Sequence, residues 1–395
     1  MTDETAAGVR SVIPDIPYIR SRGREQRATF FELFFDLVYV FAITQLSHHL
    51  LEHLSWEGAA QTAFLLLAVY WAWNYTTWMA NWFDPETVPV RLVLTFVMLA
   101  SLLMAVAIPE AFEEYGLLFA ASYVALQVVR NAFVVSVTPA GDFNRNFRQI
   151  LAWSVLSAPL WVGGALAVGG ARWAMWLGAL ALELAAPMAR YWLPGMGGTP
   201  MSEWQIAGGH FAERFQLFII IALGESIVLT GVTASSAGLD AAVVVALGVA
   251  FVGSTALWWL YFGQVVSSAV RRISAAVAEA GQIGRNAYSY LHIPIVAGII
   301  LTAVGDELVI AHPADQLQMA GALVTLGGPA LYLLGLMAFE ASIGRSQGWG
   351  RAVVVLVLVA AIPFAARAEG LVVAGFTTAV LTALVITEQI RREST

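Results

Sequence analysis

The chain has 395 residues, 59% of them hydrophobic and only 12% charged, with a formal net charge of -7 and a mean hydropathy of +0.74. Soluble domains carry about 25% charged residues, so an ordinary water-soluble domain is excluded. There is no cysteine and all 20 basic residues are arginine, which removes disulfides, thiol chemistry and lysine Schiff bases.

Residues 1–28 are polar, with Pro14 and Pro17 followed by Arg20, Arg22, Arg24 and Arg27. This composition predicts a disordered arm that rests on anionic lipid heads. The first apolar run begins too late for a cleavable signal peptide. Beyond the arm, runs of about 20 apolar residues recur, as spanning helices require. They lack the period-two alternation of a membrane barrel. Spans are expected near 29–50, 57–82, 88–109, 112–137, 149–168 and 172–193. A Gly-rich linker, 194–209, marks the midpoint, and six further spans follow near 210–233, 240–263, 286–305, 318–340, 350–366 and 370–390. Between the eighth and ninth, Val270, Ile273 and Val277 share a helical face, the pattern of a helix lying on the membrane surface. The reading is an all-α, polytopic helical membrane protein of about twelve transmembrane helices, in two parallel six-helix halves (29–193 and 210–395).

Arginine sets the orientation. With the N-terminus inside, every arginine falls in an inner segment except Arg172 and Arg367. Those two occupy the same place in each half, between the fifth and sixth span and between the eleventh and twelfth. The expected location is the bacterial inner membrane, with both termini cytoplasmic.

The acids carry the functional reading, because a carboxylate inside a spanning helix is a functional-site hypothesis by default. Glu32 and Asp36 lie four apart on one face of the first span. The seventh span opens with Glu213-Arg214 and holds Glu225 near its middle. Aligning Glu32 with Glu213 places Phe34 on Phe215, and Thr44-Gln45 on Glu225-Ser226, which suggests an internal repeat. Asp36 either serves function or an essential buried polar network, or only pairs with an arginine such as Arg27 or Arg214 near the inner interface. Glu225 lies 11 residues beyond Arg214, roughly 16 Å along a helix, so that arginine cannot neutralise it. Gly224 beside it would admit a neighbouring backbone. The alternative for Glu225 is a protonated glutamate bonded to another helix.

Other features have plainer accounts. His49 and His53 have a spacing that allows a shared metal, yet no HExxH frame surrounds them, and a hydrated helix end explains them as well. Glu110, Glu113, Glu114, Asp306 and Glu307 place acids at the outer face. Trp71, Tyr75, Trp78 and Trp82, with Asn74 and Asn81, either line a path or pack and anchor the bundle. Glu183 and Glu340 sit near helix ends and carry no expectation. No P-loop, GxSxG or dinucleotide pattern appears in a workable setting, so no cofactor is expected, and nothing beyond the arginine arm points to nucleic acid.

Several of these segments carry a resemblance. RATFFELFFDLVYVFAITQLSHHL (27–50), HFAERFQLFIIIALGESIVLTG (210–231), ALWWLYF (256–262) and AVGDELVIAHP (303–313) resemble the bacterial low temperature requirement protein A family, in order and over nearly the whole chain after the arm. Gly263 stands where the resemblance leads one to expect an acid. The resemblance implies a bacterial multi-pass membrane protein connected with growth in the cold, and no settled activity. The preferred expectation is passage of protons, cations or a small solute. Asp36 and Glu225 would titrate or coordinate, Glu32, Glu213 and Arg214 would flank them, and Thr44, Gln45 and Ser226 would give polar support. The rivals are a membrane enzyme acting on lipid or envelope precursors, and a non-catalytic scaffold for cold adaptation. The partners are the lipid bilayer and a small ion or solute; the oligomeric state is left open.

Overall fold

Helix α1 (Phe30–Glu52) begins on a capping box: Thr29 accepts from the Glu32 amide, and the Glu32 carboxylate accepts from the Thr29 amide. The computed structural model describes residues 16–20, 26–200, 204–263, 265–275, 279–345 and 349–393. The first six helices continue with α2 (Trp56–Trp82), α3 (Val88–Val106), α4 (Gly116–Val137), α5 (Asp142–Leu166) and α6 (Gly170–Ala185). The second six long helices are α7 (Gly208–Ala237), α8 (Ala241–Trp258), α11 (Leu291–Ala311), α12 (Gln318–Ser342), α13 (Trp349–Ala365) and α14 (Gly370–Glu393). Two short ones, α9 (Val266–Ala275) and α10 (Ala280–Ile283), lie between α8 and α11, and a π-helical segment, Gly284–Tyr290, leads into α11.

The protein is an all-α polytopic membrane protein, and among the described residues nine helical segments are long and apolar enough to cross a bilayer. Helices α2, α6 and α13 fall outside that group. For α2 the reason is its surroundings: it is rich in Trp, Asn and Thr and, from Phe64 onward, almost entirely buried by protein. A helix solvated by its neighbours does not need lipid-like side chains.

Packing follows the same order in the first six long helices and in the last six. Helix α1 packs on α2 and α3, α3 on α4, α4 on α5 and α5 on α6; likewise α7 packs on α8 and α11, α11 on α12, α12 on α13 and α13 on α14. The two sets of helices meet where α7 lies against α1 and α2, and α11 against α1. The α11–α12 pair is the closest, because glycines on both helices admit the partner's backbone. A Cβ on Gly298 would lie 2.5 Å from the Tyr332 amide nitrogen, and one on Gly328 2.6 Å from that of Thr302. Small residues at such crossings let helices gain dispersion contact in lipid. Gly298→Val is therefore expected to destabilise the protein by about 1–3 kcal/mol, read as a lower melting temperature in detergent.

Several boundaries differ from expectation. Helix α5 starts at Asp142 rather than near 149, because Phe143 and Phe147, one turn apart, both set their edges against the Trp82 ring. Helix α6 stops at Ala185 rather than near 193; Pro187 follows, and a proline cannot continue a helix interior. In place of an arm that is disordered through residue 28, residues 16–20 are docked: the Arg20 amide donates to Trp82 O at 2.9 Å and Tyr18 O accepts from the Asp84 amide at 2.8 Å. Residues 1–15 and 21–25 of that arm lie outside the described residues. Helix α9 packs on α7 with Ala269 and Ile273 buried, while Val277 lies outside the described residues.

Candidate ion-coupling site

Helices α1 and α7 touch and run parallel, since Asp36 meets Arg214 near one end and Thr44 meets Glu225 further along. The first meeting is at the end of the bundle that bears most arginines. Arg214 clasps Asp36 through both guanidinium nitrogens, at 2.8 and 2.7 Å, and Trp73 on α2 donates its indole N–H to the same carboxylate at 2.9 Å. One turn earlier Glu32 accepts from Arg20 at 2.7 Å, from the Thr29 amide and hydroxyl and from His210 Nε2 at 2.9 Å. Asn81 donates to His210 Nδ1 at 3.0 Å, so the ring carries its proton on Nε2. Asn81 also exchanges two bonds with the Ala207 backbone. Glu213 accepts from the Ala28 amide at 2.9 Å.

Two arginines thus balance two carboxylates in a buried cluster whose acceptors are filled. Asp36 is paired with Arg214 inside this buried polar network, which also includes Trp73. Such a cluster is expensive to break, because each partner removed strands a buried charge. Directly beyond it sits an aromatic layer. Trp73 lies 4.2 Å from the Phe218 ring and 5.0 Å from that of Phe215, Tyr70 meets Phe218 edge-on, and Tyr39 bonds Ser101 on α3 at 2.9 Å.

Past this layer the α1–α7–α11 seam becomes polar again. Glu225, 3% exposed, lies beside Thr44 and within electrostatic reach of His48, while the Thr44 hydroxyl donates to Val40 O at 3.1 Å. Glu307 on α11 is in reach of both Glu225 and His48 and accepts from Thr233 at 3.2 Å. Its other oxygen has no hydrogen-bond partner among the described residues. No arginine pairs with Glu225 among the described residues. Thr44 and His48 share a face of α1, one turn apart. The seam therefore holds two carboxylates, an imidazole and two hydroxyls, with no fixed positive charge among the described residues.

The remaining sequence candidates fall elsewhere. Ser226 turns to α8, where its hydroxyl is 3.3 Å from Ser254. Gln45 makes no hydrogen bond among the described residues. Gly224 has open space where a Cβ would stand, so it admits no neighbouring backbone. His49 spends one nitrogen on Pro109 O and the other on Gln61, both at 3.2 Å, and His53 turns its Nδ1 to His49 O. The histidine pair therefore does not converge on a metal, and among the described residues no group of three or more His, Asp or Glu is placed to hold one.

The acid without an expectation, Glu183, anchors a buried network among α4, α5 and α6. It accepts from Tyr123, from Ser157 at 2.7 Å and from Trp161 at 2.9 Å. Gln127 bonds Tyr123 and is bonded by Arg130, whose guanidinium lies over the Tyr75 ring. The signal available in the sequence was the polar stripe Tyr123, Gln127 and Arg130 at helical spacing on α4. Glu340 likewise has partners, Arg351 at 2.6 Å and Arg345 at 2.9 Å.

A family model described as bacterial low temperature requirement A protein (LtrA) matches residues 27–386. An uncharacterized protein of Rhizobium meliloti (strain 1021) is 38% identical over 323 residues, covering 81% of this chain and 79% of that protein. No solved structure matches.

Proposed function

The chain belongs to the bacterial low temperature requirement A family, and from that premise we propose that it passes protons or small cations across the bacterial inner membrane. Glu225 is the group that binds them. One observation carries this reading: Glu225 lies near the middle of a spanning helix, beside Thr44, with no arginine partner among the described residues. A carboxylate held at that depth without a fixed counter-charge is neutralised by a proton or a bound cation, and this reading takes that proton or cation to be the one passed.

Glu307 and His48 supply the approach. Both lie in reach of Glu225, toward the end of the bundle opposite the arginine-rich one. The arginine bias makes the arginine-rich end, with both termini, cytoplasmic. An ion arriving at Glu225 from outside then meets the aromatic layer and, behind it, the saturated Asp36–Arg214–Glu32 cluster. That cluster acts as the inner seal. Release inward requires α1 and α7 to part there, and the matching packing order of the two sets of six supports halves that rock against each other about the site. Asp36 is thus a gate residue and not an ion carrier.

The test is flux through liposomes carrying the purified protein, under an imposed pH or potassium gradient. The expected result is proton or cation movement above protein-free liposomes. Folded protein that moves neither overturns the proposal.

A further inference from the structure

Outside the Glu225 seam, one deeply buried acid stands apart among the described residues. Glu32, Asp36, Glu183 and Glu340 each hold two or more donors or cations on their carboxylates. Asp306 on α11 is only 9% exposed, yet it makes no hydrogen bond or ion pair among the described residues, and its Oδ2 is fully shielded without a partner. No charged group among the described residues lies within electrostatic reach of it. Burying a carboxylate in this way is costly, and a native structure that does so calls for a water or an ion at the group.

The α11–α12 crossing beside Asp306 is rich in oxygen. One residue before it, Gly305 lies so close to α12 that a Cβ there would stand 2.8 Å from Thr325 Cα and 2.9 Å from Thr325 Oγ1. The Thr325 hydroxyl is buried and has no hydrogen-bond partner among the described residues. The Thr325 carbonyl loses its helical donor as well, because Pro329 stands four residues on, inside α12, and proline has no amide hydrogen to give. One turn before Asp306, on the same face of α11, Thr302 donates to Gly298 O at 2.7 Å, which leaves the lone pairs of its oxygen free. Thr302 Oγ1 belongs to the same crossing, 2.8 Å from where a Cβ on Gly328 would stand. Glu307 is turned away, toward Thr233 on α7. The crossing thus offers a carboxylate, two hydroxyls and a carbonyl, with one negative charge and, among the described residues, no positive one.

We propose that Asp306, with Thr302 and Thr325, binds a monovalent cation between α11 and α12. One carboxylate balances one positive charge, and a divalent ion would stay half compensated in a buried place. A proton would fill one of these oxygens, whereas a cation takes several at once. A carbonyl released where a membrane helix is broken is a recurrent ligand for such ions. Asp306 lies five residues before the end of α11 at Ala311, roughly 8 Å of helical rise. That is the end of the bundle opposite the arginine-rich one, and the ion enters from there. The assignment does not rest on ion passage through Glu225, because the site shares no residue with that seam.

The experiment is thermal unfolding of the full chain in detergent, in choline chloride replaced stepwise by sodium or potassium chloride at constant ionic strength. The melting temperature is expected to rise by several degrees with at least one of these ions and to saturate. Glu225 is itself proposed to bind cations, so the titration is repeated in Glu225→Gln, where the rise is expected to persist. Asp306→Asn is expected to abolish it. In choline alone this variant should melt at or above wild type, since it removes an uncompensated charge. Thr325→Val keeps the charge and removes one ligand, and it should need about tenfold more salt for half the rise, the scale of one contact to a charged group. This second variant decides the matter if Asp306→Asn does not fold. A melting temperature that responds to neither salt overturns the proposal, and one that rises with acid alone makes Asp306 a protonated acid instead. A rise that survives Asp306→Asn, or that disappears in Glu225→Gln, places the ion elsewhere. Equal half-saturation in wild type and Thr325→Val overturns the site at this crossing.

Discussion

Flux through liposomes carrying Glu225→Gln is expected to fall to the protein-free level, with the melting temperature close to wild type. Glutamine keeps the shape of glutamate beside Thr44. It can neither take up a proton nor offer a negative charge to a cation. Because Glu225 has no ion-pair partner to strand among the described residues, the substitution should cost little stability, which separates loss of function from loss of fold. Glu307→Gln is expected to slow flux without abolishing it, since Glu307 lies on the approach, bonded to Thr233, and not at the deepest point of the seam. Full flux in Glu225→Gln would sink the site assignment even if the protein conducts.

The second large effect concerns the inner cluster. Arg214→Ala strands Asp36, which holds both guanidinium nitrogens at 2.8 and 2.7 Å, and it should cost about 3–5 kcal/mol. Asp36→Leu alone should cost a similar amount by stranding Arg214. Replacing both, with Arg214→Met and Asp36→Leu, should recover most of that loss, because apolar groups of similar volume remove the desolvation penalty together with the attraction. Glu32 keeps Arg20 and His210 throughout. The measurement is a double-mutant cycle on unfolding in detergent, paired with flux. A sealing role predicts that the folded double variant leaks faster than wild type. A purely structural pair predicts wild-type flux, and additive losses in the cycle would show that the two residues do not act as a pair.

The long helices were legible because lipid makes them a local property. A run of about 20 apolar residues must satisfy its own backbone hydrogen bonds wherever it crosses, so composition alone places α1, α3, α7 or α12 to within a few residues. The family was legible too, from motifs read in order. So was the position of Glu225 near the middle of its helix, since one residue number and a fixed rise per residue give it.

Only the tertiary structure decided what those residues meet. Asp36 pairs with Arg214, 178 positions away, because α1 and α7 lie side by side and parallel. Glu183 looked incidental near a helix end, yet Tyr123, Ser157 and Trp161 converge on it from two other helices. The left-handed pair Arg190–Tyr191 has no sequence signature, since neither residue favours that conformation and bonds from Ala186, Thr199 and Tyr75 impose it. Gly224 was read as a packing contact, and it faces open space. The physical division is one of range. Length, hydropathy and helical spacing are written within a single segment. Which charge neutralises which, and which polar group is left without a partner, depends on helices brought together from distant parts of the chain.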